Sequence, residues 1–526
     1  MPPRVYSCSF YLRFSTCSLL LNRCSVHLSE SQASFANVKR PKQLFGFGVA
    51  ATGALGLKRF IIAEGNMLLI VHSQTNIGVI PPPFTAYSPV NLILPGFKQF
   101  DVKNVACGFG YSIFLRKCSR RGLVILGCGL NTDGQLGPHP NAIHGKTPVG
   151  VQFDLLPEPQ VIQLPSDKYV PFAVACGRAH TLVACKPRSF DAPHCIYSFG
   201  NNTFGQCARQ MIRDEVYSSE HATITQVPSP ETVTAVKQVL LPKSHLCWQV
   251  ILPGVFFQLV CGQDHSLVLT EDGLVFSAGL GTDGQTGLGT TDCVDRLTRV
   301  RGAIEDISSR GDTVLALSRC GRLFAWGNNE YGQICPISDE VQVTQPVELP
   351  LREYVDSVTH RVSPSAESTA LGADFKLGNL ISIASAGSMC AVVDDFGQVL
   401  VWGFGCLGLG PRTYHCDRPR LIPPPLFAPT LPRSEHRIVE VVPGLHHFIA
   451  RSNAGLLWSW GAPRGAVGCL GLGKLHKVGQ PISAKRSDVE IAKAAQTYPA
   501  QISLPAEALQ VSCGVDHTFV LGRRFG

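Results

Sequence analysis

Seven copies of one pattern, an apolar strand running into a glycine-rich loop, are spread along the chain. They read LFGFGVAATGALGL from Leu44, VILGCGLNTDGQLG from Val124, IYSFGNNTFGQCA from Ile196, VFSAGLGTDGQTGLG from Val275, LFAWGNNEYGQIC from Leu323, VLVWGFGCLGLG from Val399 and LWSWGAPRGAVGCLGLG from Leu457. A second pattern precedes most of them: ACGFGYSIFL at Ala106, ACGRAHTLVA at Ala175, VCGQDHSLVL at Val260 and weaker forms at Ser308, Ser385 and Val442. The last, SCGVDHTFVL at Ser512, has no partner downstream, and the copy at Leu44 has none upstream. Repeats of roughly 50 to 85 residues, rich in short strands and glycine, build solenoids or propellers. The circular offset selects the ring, because a C-terminal half-repeat that completes an N-terminal one leaves no open sheet edge. The expected fold is all-β: a seven-bladed β-propeller over residues 43–526, closed by pairing of the N- and C-terminal half-repeats, behind a leader in 1–42.

Within one unit, Val260-Cys261-Gly262 ends a strand, His265 to Thr270 forms a second, Glu271-Asp272-Gly273 turns the chain, and Leu274 to Ala278 forms a third. Gly279, Gly281 and Gly284 then spell G-x-G-x-x-G, a dinucleotide-binding pattern that works only where a helix follows. Here Gln285 to Thr291 is rich in glycine and threonine, which are poor helix formers, so these glycines are expected to shape a loop. Gly468 to Leu475 approaches a phosphate-binding loop, but Leu475 stands where a Mg²⁺-holding hydroxyl would be required. Asp264-His265, Asp516-His517 and His180 have the composition of general bases. Their recurrence at one point of several blades assigns them instead to bonds with neighbouring backbone, since catalysis needs a single asymmetric constellation.

The two elements, C-G-x-x-H-[ST]-L and W-G-x-N-x-x-G-Q-[LI], resemble the repeat of the regulator of chromosome condensation family, over residues from about 44 to 522. ACGRAHTLV, SFGNNTFGQCARQMIRDEVYSSEH, VCGQDHSLVLTEDGLVFSAGLGTDGQTGLG, VWGFGCLGLGP and SCGVDHTFVL narrow the resemblance to the mitochondrial, G-exchanging-factor-like branch of that family. That branch implies a mitochondrial protein, in the matrix or associated with the inner membrane. It implies one of two activities: nucleotide exchange on the GTPase of mitochondrial inner-membrane fusion, or, as the alternative, scaffolding in mitochondrial ribosome assembly, with assembly proteins as partners. The pattern lapses in places: positions around Ser309, Ala386 and Pro443 lack the cysteine, and Gly127-Cys128-Gly129 and Ser277-Ala278-Gly279 lack the Trp-Gly pair.

Charge fits this reading. Residues 1–42 hold six basic residues against Glu30, which gives +5 of the formal +8 and leaves +3 for the ring. A ring so nearly balanced has no general drive toward nucleic acid, and direct DNA binding is not expected. The leader is Arg-containing, Ser-rich and almost free of acids, as in a mitochondrial transit peptide or, as the alternative, a disordered leader, and Arg13 interrupts the apolar run that a secretory signal would need. Elsewhere no apolar run is long enough to span a bilayer, so any membrane contact is expected to be peripheral. The 20 cysteines include no C-x-x-C pair, and Cys107, Cys176, Cys261 and Cys513 recur at one strand position. They are expected to be separate, buried, free thiols, with no metal at His446-His447 or His415-Cys416.

Repeated residues build a ring, so those that break the repeat are the better functional candidates. The richest such stretch runs from Arg209 to His221. Arg209, Arg213, Asp214, Glu215, Tyr217 and His221 form the candidate partner interface, since Arg and Tyr commonly anchor interfaces. The segment from about Ala222 to Phe256 is longer than a simple link, and the Pro-rich stretches 138–171, 336–379 and 411–437 are expected to be surface connections. No catalytic residue or cofactor site is expected. The chain reads as a non-enzymatic binding protein.

Overall fold

The computed structural model describes residues 42–50, 52–57, 85–94, 101–118, 122–146, 152–189, 193–228, 256–334, 339–351, 376–430, 436–462, 467–473 and 495–525. They form seven antiparallel sheets. From the innermost strand outward, blade 1 is Ala506–Cys513 (β28), His517–Arg524 (β29), Lys42–Val49 (β1) and Thr85–Asn91 (β2). Blade 2 is Val102–Cys107 (β3), Tyr111–Cys118 (β4), Gly122–Leu130 (β5) and Gln152–Ile162 (β7), with Ile143–Lys146 (β6) as a fifth, outermost strand. Blade 3 is Tyr169–Cys176 (β8), His180–Pro187 (β9), Cys195–Gly200 (β10) and the two-residue Thr225–Gln226 (β11). Blade 4 is Phe256–Cys261 (β12), His265–Thr270 (β13), Val275–Gly279 (β14) and Val294–Arg301 (β15).

Blade 5 follows with Ile304–Ser308 (β16), Thr313–Ser318 (β17), Leu323–Asn328 (β18) and Gln342–Leu349 (β19). Blade 6 is Leu380–Ser385 (β20), Met389–Asp394 (β21), Val399–Phe404 (β22) and His415–Leu421 (β23), and blade 7 is Ile438–Pro443 (β24), His447–Ser452 (β25), Leu457–Gly461 (β26) and Gln496–Ile502 (β27). The innermost strands touch in a closed circuit, β3 to β8, β12, β16, β20, β24, β28 and back to β3, which makes the chain a seven-bladed propeller.

Closure occurs as the split repeat requires. β1 pairs β29 over seven positions, from Lys42 opposite Arg523 to Gly48 opposite His517. Phe45, Phe47 and Phe519 are buried there, and Phe114 of blade 2 meets Phe519 edge to face.

Blades pack face to face, so their middle strands are covered on both sides, and β13, β17 and β21 are buried at every position. Each therefore carries an unbroken apolar centre, Leu267 to Leu269, Val314 to Leu317 and Met389 to Val393. Outer strands meet water on one side and mix exposed with buried positions, as in β19. These outer strands correct one expectation. The stretches 138–171, 336–379 and 411–437 are not mere connections: they supply β6 and β7, β19 and β23. Backbone pairing to the third strand places these strands, and it needs no repeated side chain. Of the long segment after Ala222, β11 is described and 229–255 lies outside the described residues, as does the leader through Pro41.

Candidate partner-binding face

In each blade the start of the second strand pairs with the end of the third, as His265 does with Gly279, so the turns after first strands and the loops after third strands share one end of the ring. Asn and Gln side chains build those loops. Asn202 Oδ1 accepts from the Cys207 amide at 3.0 Å and Gln206 Oε1 from the Phe204 amide at 2.9 Å; Asn131 with Gln135 and Asn329 with Gln333 repeat the arrangement. The G-x-G-x-x-G glycines belong to the same device. Gly279 has φ +115°, and a Cβ there would lie 2.5 Å from the Asp264 carbonyl oxygen. Likewise Gly468 to Gly473 packs against blade 1, with the Gly473 amide on the Tyr87 carbonyl at 2.8 Å.

The repeated histidines tie each blade to the next. His180 Nε2 meets Ser266 Oγ at 3.0 Å, His265 Nε2 meets Ser309 Oγ at 3.1 Å, and His517 Nε2 meets Ser112 Oγ at 2.8 Å. Their partners are hydroxyls of the neighbouring blade rather than nearby backbone, a correction that follows from how tightly the inner strands pack. Burial lowers His180 to about 3 and His265 to about 4, so both are neutral at pH 7. His517 differs: burial opposes its charge, but Cys107 and Asp516 outweigh this and raise it to about 9. Ser112, His517 and Asp516 thus line up as a hydroxyl, an imidazole and a carboxylate, with 2.8 Å and 3.2 Å links. Ser112 and His517 have no exposed surface, so no substrate reaches this chain of groups.

The axial channel, about 370 Å³, is lined by the inner strands and includes Cys107, Cys176, Cys261 and Cys513, all buried free thiols. Arg310 crosses it. From blade 5 its guanidinium donates to the carbonyls of Cys176 at 3.0 Å, Cys107 at 2.5 Å and Cys513, reaching blades 3, 2 and 1. Arg310 takes the place held elsewhere by Gly108, Gly177, Gly262, Gly444 and Gly514. The gap in the repeat around Ser309 was its only signal in the sequence.

The outward departure is the loop of blade 3. Arg209 Nη2 and Glu215 Oε1 form an ion pair at 2.5 Å, and Tyr217 donates to Glu215 Oε2 at 2.8 Å. Asn202 Nδ2 donates to the carbonyls of Arg209 and Gln210, at 3.1 and 3.2 Å, and so fastens the loop to the repeat. At the far end, the amide and hydroxyl of Ser219 donate to Asp154 Oδ2 of blade 2 at 3.0 and 2.6 Å. Burial would raise Asp154, but these bonds and His144 hold its carboxyl below the ordinary range. Between the braces the tip stands in water: the side chains of Arg213 and Asp214 are 96% and 92% exposed. Of the predicted residues, then, Arg209, Glu215 and Tyr217 form one cluster, Arg213 and Asp214 form the tip, and His221 stands apart on Ser218 Oγ at 2.9 Å. Sequence reasoning missed Ile212 and Val216, which are 60% and 68% exposed beside that tip, and exposed Met211. Aliphatic residues inside a polar loop were the available signal.

The regulator of chromosome condensation (RCC1) repeat description matches residues 258–285 and 454–521. The mouse (Mus musculus) RCC1-like G exchanging factor-like protein is 32% identical over 497 residues, 92% of this chain and 88% of that one, and the human (Homo sapiens) protein is 31% identical over the same shares. The chain belongs to the RCC1-like G exchanging factor-like family. The crystal structure of human WBSCR16 superposes on it with a TM-score of 0.68 at 30% identity, covering 93% of this chain and 100% of that one. Prp20p from Saccharomyces cerevisiae, described with its binding properties to Gsp1p and histones, gives 0.58 at 17% identity over 93% of each chain and shares the fold.

In this RCC1-like chain a rim of carboxylates lies inside the same face. Asp264 is buried against Arg178, at 2.6 Å, and Asp312 is pushed up to about 6 by burial and by Asp283 and Asp264. Among the described residues Arg178 is the one cation ion-paired within the group Asp133, Asp264, Asp283 and Asp312, so the rim is locally negative. Among the described residues no three His, Cys, Asp or Glu side chains are grouped to hold a metal ion. His447 is buried and His415 is exposed beside Phe404, so the pairs considered as ligands point into different surroundings.

Proposed function

We propose that this chain is a partner-binding propeller that promotes GDP release from a GTPase, the fusion GTPase of the mitochondrial inner membrane, with the Arg209 to His221 loop as the inserted element. The observation that carries the reading is a loop fixed at both ends, by Asn202 and by Asp154, whose tip presents Ile212, Arg213, Asp214 and Val216 to solvent. Such a loop enters a partner at little ordering cost. Contacts that disturb the phosphate and Mg²⁺ ligands of the partner would favour its nucleotide-free state, which is all that exchange requires. The ring supplies rigidity, not chemistry. The names of the mouse and human relatives support exchange as the class of activity. The reading extends to a location in the matrix or on the inner membrane.

The test is release of labelled GDP from the fusion GTPase at micromolar propeller. Acceleration that is lost on replacing residues 211–216 by a glycine-serine linker supports the proposal. No acceleration over buffer overturns it. Co-sedimentation with a ribosomal subunit in that case would move the reading to the assembly scaffold.

A further inference from the structure

Two cysteines of blade 3 lie side by side on neighbouring strands. Cys185 of β9 and Cys195 of β10 are register partners, so their side chains leave the same face of the sheet. The Asn201 amide donates to the Ala179 carbonyl at 2.9 Å, and counting back two residues at a time makes Cys195 and Cys185 a hydrogen-bonded antiparallel pair. Such pairs have Cα atoms about 5.5 Å apart, inside the range that a disulfide bridges.

The same face opens on space. Pro171 of β8 is the register partner of Cys185, and Tyr169 that of Pro187. Pro171, Tyr169 and Pro187 line a cavity of about 700 Å³ between blades 2 and 3, whose other walls include Leu123, Val161 and Arg188. The thiols themselves are buried in the sheet, while their same-face neighbours Tyr169, Pro171 and Pro187 line a cleft large enough for a small ligand. Cys195, like Cys107 and unlike most of the buried thiols, lies below its ordinary value. Burial raises Cys128, Cys176, Cys261 and Cys390, whereas the adjacent Cys185 thiol keeps Cys195 below its ordinary value against burial.

We propose that Cys185 and Cys195 are a reversible redox site that forms a cross-strand disulfide by exchange with a low-molecular-weight disulfide of the glutathione type. The Cys195 thiolate attacks one sulfur of glutathione disulfide, breaking its S–S bond and releasing one glutathione thiolate, which takes up a proton. The Cys185 thiol then loses its proton to solvent and attacks the Cys195 sulfur of the mixed disulfide. The protein disulfide forms as the second glutathione leaves. Two protein thiols are oxidised and one glutathione disulfide is reduced to two thiols.

The experiment equilibrates the full chain with glutathione buffers of graded ratio, blocks free thiols and maps tryptic peptides without reduction. Peptide 179–188 carries Cys185 and peptide 189–209 carries Cys195 and Cys207. The expected result is a linked pair of these peptides, about 2 Da lighter than their sum as two thiols become one disulfide, reversed by dithiothreitol and retained in Cys207→Ser. Cys185→Ser should instead trap glutathione on Cys195. The proposal is overturned if Cys185 stays fully alkylated at every ratio in the unmodified chain, or if the linked pair disappears in Cys207→Ser.

Discussion

Blade 5 and blade 3 both break the repeat, in opposite directions. In blade 5 a glycine position becomes Arg310, which turns inward and binds three carbonyls on three other blades. In blade 3 extra residues turn outward, and their tip carries Arg213 and Asp214 in water. A departure from a repeat therefore does not by itself mark a functional residue. A charge buried among carbonyls holds the ring together, while a charge held in water by a braced loop is free to meet a partner.

Both departures presuppose a closed ring, so the largest effect should come from opening it. A chain ended at Ala508 loses β29, the strand to which β1 pairs over seven positions. It should aggregate or melt without cooperativity in calorimetry; a melt like that of the full chain would mean the ring does not depend on this closure. Next comes acid, which acts on the buried ring and spares the loop. His180, His265 and His447 are lowered by burial to about 3, 4 and 3, below the ordinary 6.5. The unfolded chain therefore binds protons first, and stability falls as pH drops below 6.5. Three such groups remove about 6 kcal/mol by pH 5, about 2 each. His517, raised to about 9, has the opposite sign: its contribution is complete below pH 6.5 and is lost as pH rises toward 9. Denaturant melts across pH should show an optimum near 6.5, and a flat profile between 5 and 7 would refute the buried neutral histidines.

Third, Arg310→Met should cost about 3 kcal/mol in the same melts, since charged donors to three carbonyls are lost, and should leave GDP release unchanged in the folded fraction. A change of less than half that cost would mean the strut is idle. The smallest stability effects should lie in the loop. Arg209→Ala breaks the half-buried pair with Glu215 and should cost about 1 kcal/mol. Arg213→Ala, at the tip, should change stability by less than about 0.5 kcal/mol while lowering GDP release about tenfold, the loss of one interface anchor. Equal exchange by Arg213→Ala and the parent would exclude Arg213 as a contact.

The inner three strands of each blade could be found from the sequence because their turns and loops demand particular residues. Glycine is required where φ is positive, as at Gly273 with φ +87°, and Asn and Gln are required where loop amides need acceptors. The fourth strands β19 and β23 read as connections in the sequence because their place is set by backbone bonds to the third strand, which many sequences satisfy. The candidate loop was legible as composition. Its bracing was not, since Ser219 meets Asp154 across 65 positions.

The order of the chain thus carries the number of blades, their glycine-built loops and the joining of the two ends. Each follows from local conformational demands repeated at intervals, and local demands are written in adjacent residues. Folding assigns what depends on partners remote in sequence. Ser309 becomes the hydrogen-bond partner of His265, Arg310 becomes a strut across the channel, and Cys185 and Cys195 become register partners. Burial and hydrogen bonding between distant strands decide those roles, because the cost of a charge or a thiol depends on which dielectric and which donors surround it once the blades have packed.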